Sequence, residues 1–382
     1  MASKVPTGGG TVPDMFAERF DRVRTAMAET GTDVLLLSVG PDLPWLTGYE
    51  AMPLERLTML VLPRDGDATL VVPQLEAPRV VERPEAFAVR PFGETDDPIA
   101  LVRSLAGPAG RVAVSDRTWA RFVLDLQAAF GPGTTWARGS QVTGPLRAVK
   151  DPVELDALRL AGAAADRVAR QLQGGEIALA GRTEAEVSAD LGRRLVAEGH
   201  ARVNFAIVAA GENAASPHHE PGERVIRPGE VVLCDFGGTL VHEGVGYCSD
   251  ITRCVSLGEP PAEVAEAYAV LQDAQQAAVA VATVGTPCEA VDAAARDRIA
   301  AAGHGDRFTH RPGHGIGVEE HEDPYIVAGN AEPLRAGHAF SVEPGIYAPG
   351  AWGLRLEDIV LATADGPEPV NVVDHALAVI EA

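Results

Sequence analysis

The stretch "CDFGGTLVHEGVGYCSDITRC", residues 234–254, poses the problem. It sets Asp235 at the end of one apolar run and Asp250 within the next, 15 residues on, with glycine-rich chain between. That layout reads as a hairpin or a looser strand pair. A second stretch, "SVEPGIYAPGAWGLRLEDIVL" (residues 341–361), has the same form: Glu343 in one strand, Glu357 in the next, 14 residues on. Period-two alternation puts Arg355 on the face of Glu357. A lone acid at a strand end is ordinarily a turn residue. Four acids placed alike in two apolar strand pairs are different, because gathered carboxylates repel and protonate unless cations compensate them.

Working outward, each stretch follows two helices. "VKDPVELDALRLAGAAADRVARQL" (149–172) offers Asp151 as a cap, Pro152 at the first helical position and Glu154 for a capping box. Leu155, Leu158, Ala165, Val168 and Leu172 continue as a helical stripe. Thr183 and Glu186 open a second helix carrying Val187, Leu191 and Leu195. Later, "PPAEVAEAYAVLQDAQQAAVAVA" and "TPCEAVDAAARDRIAAAG" repeat the pattern, the latter opened by Thr286, Pro287 and Glu289. The two capping threonines lie 103 residues apart. "VNFAIVAAG" and "EVVLCDFGG" follow the first helix pair as strands; "HAFSVEPGIY" and "GLRLEDIVLA" follow the second. An internal duplication is the simplest account, with coincidence of caps as the alternative.

Between the two halves runs "HRPGHGIGVEEHEDP", residues 310–324, which holds three of the chain's ten histidines. One imidazole added to four carboxylates makes an oxygen-rich donor set that suits Mn²⁺, Co²⁺, Fe²⁺ or Zn²⁺ over thiolate-selected ions. Two such ions, about 3.5–4 Å apart, form a hydrolytic site with a bridging water or hydroxide. Gly313, Gly315 and Gly317 admit close backbone approach. As a phosphate cradle the segment is weak, lacking the preceding strand and the partner residues of nucleotide loops. Taken singly, each histidine is more often a surface or core residue than a catalytic one. Cys234 and Cys248 read as small core residues.

At 382 residues the chain exceeds one ordinary core, so two domains are expected, 15–150 and 151–382. Residues 1–14 read as a flexible lead-in without a signal core. The first domain alternates helix and strand: "DMFAERFDRVRTAMAETG" with Phe16, Phe20, Val23 and Met27 on one face, then "DVLLLSV", "LTMLVLP", "ATLVVP", "RVAVSD" and the helix "WARFVLDLQAAF". It shows no chemistry. A net charge of −22 repels nucleic acid and anionic membranes. No run of 18 apolar residues occurs, and the four cysteines lack a CxxC, which suits a reducing cytoplasm.

The segments "DFGG…GYCSDITR", "HRPGHGIGVEEHEDP", "SVEPGIY" and "RLEDIV" resemble the signature blocks of the M24 "pita-bread" metallopeptidases, which include methionine aminopeptidase, aminopeptidase P, prolidase and metal-free creatinase. "PWLTGYE" and "VKDPVELDALRLAGAAAD" resemble the creatinase-like N-terminal domain and its junction, which methionine aminopeptidases lack. The resemblance implies a two-domain α/β fold: a creatinase-like N-terminal α/β domain, then a pseudo-twofold α+β pita-bread catalytic domain. It implies Asp235, Asp250, His314, Glu343 and Glu357 as ligands of two divalent ions, Mn²⁺ foremost, with Asp250 and Glu357 bridging. A bridging hydroxide would attack the carbonyl before the scissile bond, and Glu343 would pass a proton to the leaving imino nitrogen. His321 would bind the carbonyl and the tetrahedral intermediate. His218, in "GENAASPHHEP", would face the substrate, while His219 turns elsewhere. His310 would line the substrate or support the ligands, and Arg355 would brace the ligand carboxylates. The Asp235–Asp250 interval is longer than the family's, which leaves its loop open.

The implied reaction is hydrolysis of the bond before proline. A prolidase-type dipeptidase is favoured by the compact length and the "SPHHEP" context. Aminopeptidase P acting on longer peptides, a metal-dependent amide hydrolase of the same fold and a non-catalytic binding module are the alternatives. A full ligand set opposes the last. The implied partners are a proline-containing di- or oligopeptide and a second copy of the chain as a homodimer, in the cytoplasm.

Overall fold

In the computed structural model, residues 15–381 are described, and they divide into two compact units at Leu146/Arg147. The 1–14 lead-in lies outside the described residues. The first unit opens with α1 (Met15–Thr30), β1 (Val34–Leu37), α2 (Asp42–Thr47), β2 (Met59–Pro63), β3 (Thr69–Pro73) and β4 (Ala88–Phe92). It continues with α3 (Pro98–Ala106), β5 (Arg111–Val114), α4 (Ala120–Phe130), β6 (Thr135–Arg138) and α5 (Ser140–Ala148), whose end crosses the division. The strands form one mixed six-stranded sheet in the order β4-β3-β2-β1-β5-β6. Phe16, Phe20, Val23 and Met27 are buried, as the 3.6-residue period requires. β4 and β6 were not legible, because their residues are largely half-buried or exposed.

The second unit begins with α6 (Pro152–Gln173) and α7 (Glu184–Ala197). Both capping boxes form: Asp151 with Glu154, and Thr183 with Glu186. Then come β7 (Arg202–Ala210), β8 (Val231–His242), β9 (Val245–Cys248) and β10 (Ile251–Leu257). The second helix pair is α8 (Ala262–Val281) and α9 (Cys288–Ala301). Here the expected Thr286 cap fails. α9 starts beyond Pro287 with no side-chain cap, and Glu289 instead accepts the Gly329 N–H. Pro287 is engaged in a bridge to Pro333, which fixes the entry by strand-like pairing. The strands β11 (Gly313–Gly315), β12 (Glu322–Ile326), β13 (Ala339–Val342), β14 (Gly345–Ala348), β15 (Trp352–Arg355), β16 (Asp358–Thr363), β17 (Gly366–Pro369) and β18 (Ala378–Ile380) complete the chain. Among the described residues no helix is long and apolar enough to cross a membrane.

Two sheets result, β18-β10-β8-β7 with β9 on β8, and β12-β11-β13-β16-β17, beside the ribbon β14-β15. Alternation decides what each face carries. In β8, Val232, Cys234 and Phe236 pack with the α6/α7 residues Val168, Leu172, Val187 and Leu191. Asp235 therefore points the other way. In β13–β16, Phe340, Val342, Ile346, Leu354, Leu356 and Val360 pack with Leu271, Val291 and Ile299 of α8 and α9. Ser341, Glu343, Tyr347, Arg355 and Glu357 are the alternates, and they face away from those helices. An isolated bridge between Thr252 and Glu357 joins the two site faces.

Candidate active site

Asp235 lies within β8, not at its end, because "GGTLVH" continues the strand. The pairs Phe236–Ile251 and Thr239–Cys248 belong to one register, which closes at His242–Val245 around Glu243 and Gly244. Both turn residues have positive φ, 49° and 82°, the signature of a two-residue type I′ turn. The long interval is thus an extended hairpin. Its register puts Asp235 across from Thr252 and Gly237 across from Asp250, so both acids share one face. Gly237 is obligatory there: a Cβ would lie 2.1 Å from the Ser249 carbonyl oxygen.

The second hairpin is built alike. The pairs Val342–Asp358 and Gly345–Arg355 share one register, and the ladder opens at Glu343–Pro344 and Leu356–Glu357, as the first opens at Gly237–Gly238 and Ser249–Asp250. Glu343 and Glu357 sit opposite each other in this gap. Thr252 Oγ1 donates to Glu357 Oε2 at 2.7 Å, and Arg355 donates to Asp235 Oδ2 at 2.5 Å. Each hairpin thereby supplies the partner of the other's carboxylate.

His314 sits in β11, beside Ser341, whose hydroxyl accepts the His314 N–H at 3.0 Å. The ring's Nδ1 lies 3.1 Å from the Gly315 carbonyl oxygen, which can only accept, so Nδ1 carries the proton. The Nε2 lone pair then faces Glu343 Oε1 at 3.4 Å and Asp250 Oδ2 at 3.8 Å. Ligand atoms of Asp250, His314 and Glu357 lie within 4.8 Å of one another. Asp235 Oδ1 and Asp250 Oδ1 are buried without a hydrogen-bond partner. A lone pair aimed at carboxylates, beside orphaned carboxylate oxygens, is what a cation between them would satisfy. The residues fit such a group.

Electrostatics agree. Burial pushes Asp250 well up, and Glu357, Asp235 and Glu343 add repulsion. Glu357 rises well above its usual value by burial and by repulsion from Glu343 and Asp235. Burial pushes Glu343 up to about 7, with Arg355 opposing and Asp235 adding to the rise. His314 is lowered to about 3 by burial and then by His321, so it stays neutral.

His321 sets its ring against His314 at 4.0 Å between centroids. His310 donates from Nδ1 to its neighbour's carbonyl, Arg311 O, at 2.7 Å, so its Nε2 accepts from the Tyr347 hydroxyl at 2.8 Å. Tyr347 in turn accepts from Arg355 at 2.9 Å. His218 is exposed at the pocket edge, while His219 turns away to Glu184 at 2.7 Å. A cavity of about 590 Å³ brings together all five ligand candidates with His218, His310, His321 and Arg355. Sequence reading missed Phe205, Ile207, Arg311 and Val327 in its lining, and Glu184, Thr252 and Tyr347 behind it. Alternation from Asp250 would have found Thr252. Nothing local marks Glu184. Cys234 and Cys248 are buried, and burial raises both thiols, Cys248 to about 12.

Residues 156–364 match the model of metallopeptidase family M24. The chain belongs to that family. Residues 19–149 match the creatinase/prolidase N-terminal domain, so the architecture is the creatinase-type domain followed by the pita-bread catalytic domain. A probable dipeptidase PepE of Mycobacterium bovis is 45% identical over 371 residues, covering 96% of this chain and 97% of that protein. A Lactobacillus helveticus Xaa-Pro dipeptidase is 34% identical, covering 94% and 98%. The crystal structure of dipeptidase PepE from Mycobacterium ulcerans superimposes with a TM-score of 0.89 at 43% identity, covering 98% of this chain and all of the other. Membership in family M24 makes the chain a metallopeptidase, and divalent ions are implied.

Proposed function

We propose that the protein is a dinuclear Xaa-Pro dipeptidase of the prolidase type. The observation that carries the reading is the His314 Nε2 lone pair aimed into the carboxylate cluster beside the orphaned Asp235 and Asp250 oxygens. Asp235, Asp250, His314, Glu343 and Glu357 would hold the ions, with Mn²⁺ foremost. When bound, two divalent ions supply a nucleophilic water at neutral pH and polarise the scissile carbonyl. The chain's own groups do the rest. Glu343, with its raised affinity for protons, takes the proton released as water attacks and hands it to the departing imino nitrogen. His321, beside the His314 ring, donates a hydrogen bond to the carbonyl oxygen as charge develops there. His218 faces the substrate from the pocket edge. His310 and Arg355, joined through Tyr347, hold the Asp235 side of the site in place.

Arg311 supports the dipeptide reading. Its guanidinium lies over the Tyr325 ring at 4.3 Å and lines the cavity, where it suits the free carboxylate of proline. The names of the full-length relatives agree. Homodimerisation and a cytoplasmic location complete the proposal. Comparing kcat/KM on a Xaa-Pro dipeptide and a Xaa-Pro-Yaa tripeptide, with Mn²⁺, Co²⁺ and Zn²⁺ in turn, tests it. The dipeptide is expected to be preferred, and a clear tripeptide preference would instead indicate an aminopeptidase P. Arg311→Met is expected to raise KM for the dipeptide about tenfold, with little change in kcat.

A further inference from the structure

We propose that Lys150 is a positioning residue for His321, acting through Glu322, with Arg147 as its companion. The inference rests on the peptidase reading above. The Lys150 side chain is 1% exposed, and its ammonium donates to Glu322 Oε1 and, at 2.7 Å, to the Arg147 carbonyl oxygen. Arg147 donates to the other Glu322 oxygen and, at 2.7 Å, to Glu319. Both oxygens of a buried carboxylate are thus taken by cations. Burial pushes Glu322 toward protonation, and Lys150 and Arg147 more than reverse that.

The chain between the anchored acids has little freedom. Gly317 donates to Glu319 O at 3.0 Å and accepts from the Cys248 N–H at 2.8 Å. Glu322 pairs with Gly315 at the start of β12. Glu319 and Glu322 turn onto the cations. His321, in the bend just before Glu322 and the start of β12, sets its ring against His314. Lys150 is itself fixed, since its N–H donates to Gly337 O at 2.8 Å.

The identity of the cation is informative. Of the chain's 32 basic residues, only Lys4 and Lys150 are lysine. The ammonium packs closely beside Gly317, where a Cβ would lie 2.5 Å from Glu322 Oε1 and 3.0 Å from Lys150 Cε. A compact ammonium with three rotatable donors bonds a carboxylate and a carbonyl in a geometry that arginine's planar fork does not reproduce. Buried ion pairs rarely add net stability, so a triad kept here serves geometry.

A double-mutant cycle on the full-length, Mn²⁺-loaded protein tests this. Lys150→Met is expected to lower kcat about 10–100-fold, with KM within about twofold and bound metal unchanged. Lys150→Arg should not restore kcat. In a His321→Ala background, the further loss from Lys150→Met should fall below about threefold, because there is no histidine left to misplace. Should Lys150→Met fail to fold, Lys150→Met with Glu322→Gln removes cation and anion together and is expected to show the same kcat loss and the same coupling. Losses that multiply in full, or a Lys150→Met variant as active as the parent, would overturn the inference while leaving the dipeptidase reading intact. A fully active His321→Ala variant would overturn both the inference and the role given to that histidine.

Discussion

The two hairpins of the catalytic unit bring two acids each to one point by different means. Both ladders open by two positions at the site; the first, open at Gly237–Gly238 and Ser249–Asp250, uses aspartates on a diagonal, Asp235 opposite Thr252 and Asp250 opposite Gly237. Diagonal positions lie about 7–8 Å apart. The second, open at Glu343–Pro344 and Leu356–Glu357, uses glutamates placed directly across from each other. Directly opposed positions are about 4.5–5.5 Å apart, and the longer side chains lift the carboxylates off the backbone. Backbone register and side-chain length compensate. The crossed partners, Arg355 on Asp235 and Thr252 on Glu357, then fix one hairpin against the other.

The comparison can be broken most severely at Asp250, a proposed metal ligand. Asp250→Asn removes a charge from the cluster, and kcat/KM is expected to fall on the order of 10³-fold, with bound metal lost in elemental analysis. Activity and metal content near those of the parent would contradict it. Glu357→Asp tests length alone: withdrawing the carboxylate by one methylene should cost about 10²-fold in kcat with the fold intact by circular dichroism. Unaltered kcat would show that the second hairpin does not need its longer acids. Arg355→Met cuts the crossed bond to Asp235, and a loss of about 10–100-fold is expected, read as weakened metal affinity. The mildest change lies at the tip of the first hairpin. Glu243 holds a φ of 49°, and Glu243→Asn should raise stability by about 0.5 kcal/mol in a denaturant titration, with kcat unaltered. A destabilised Glu243→Asn variant would show that the turn is not what closes this register.

These hairpins were largely legible in the sequence, because period-two burial and the spacing of the acids are local signals. Asp235 was placed at a strand end since glycines suggest a turn. In the structure Gly237 and Gly238 remain in β8, where Gly237 leaves room for the Ser249 carbonyl opposite Asp250. The capping boxes at Asp151 and Thr183 were readable in the same way, whereas at Thr286 pairing of Pro287 with Pro333 overrode the local pattern. Contacts spanning long stretches of chain were invisible. Glu184 reaches His219, and Lys150 reaches Glu322 across 172 positions; no local period reports either.

Isothermal titration of the metal-free protein with Mn²⁺, in buffers of differing ionisation enthalpy at pH 6 and pH 8, addresses the central claim most directly. In the free site Asp250, Glu343 and Glu357 all hold protons more tightly than ordinary carboxyls, Glu343 with a pKa of about 7. His314, lowered to about 3, carries none to release at either pH. Binding must therefore expel protons, more at pH 6 than at pH 8, so affinity tightens as pH rises. Two ions per chain with proton release that shrinks toward pH 8 is the predicted result. Binding with no proton release at pH 6, or no binding at all, would contradict it.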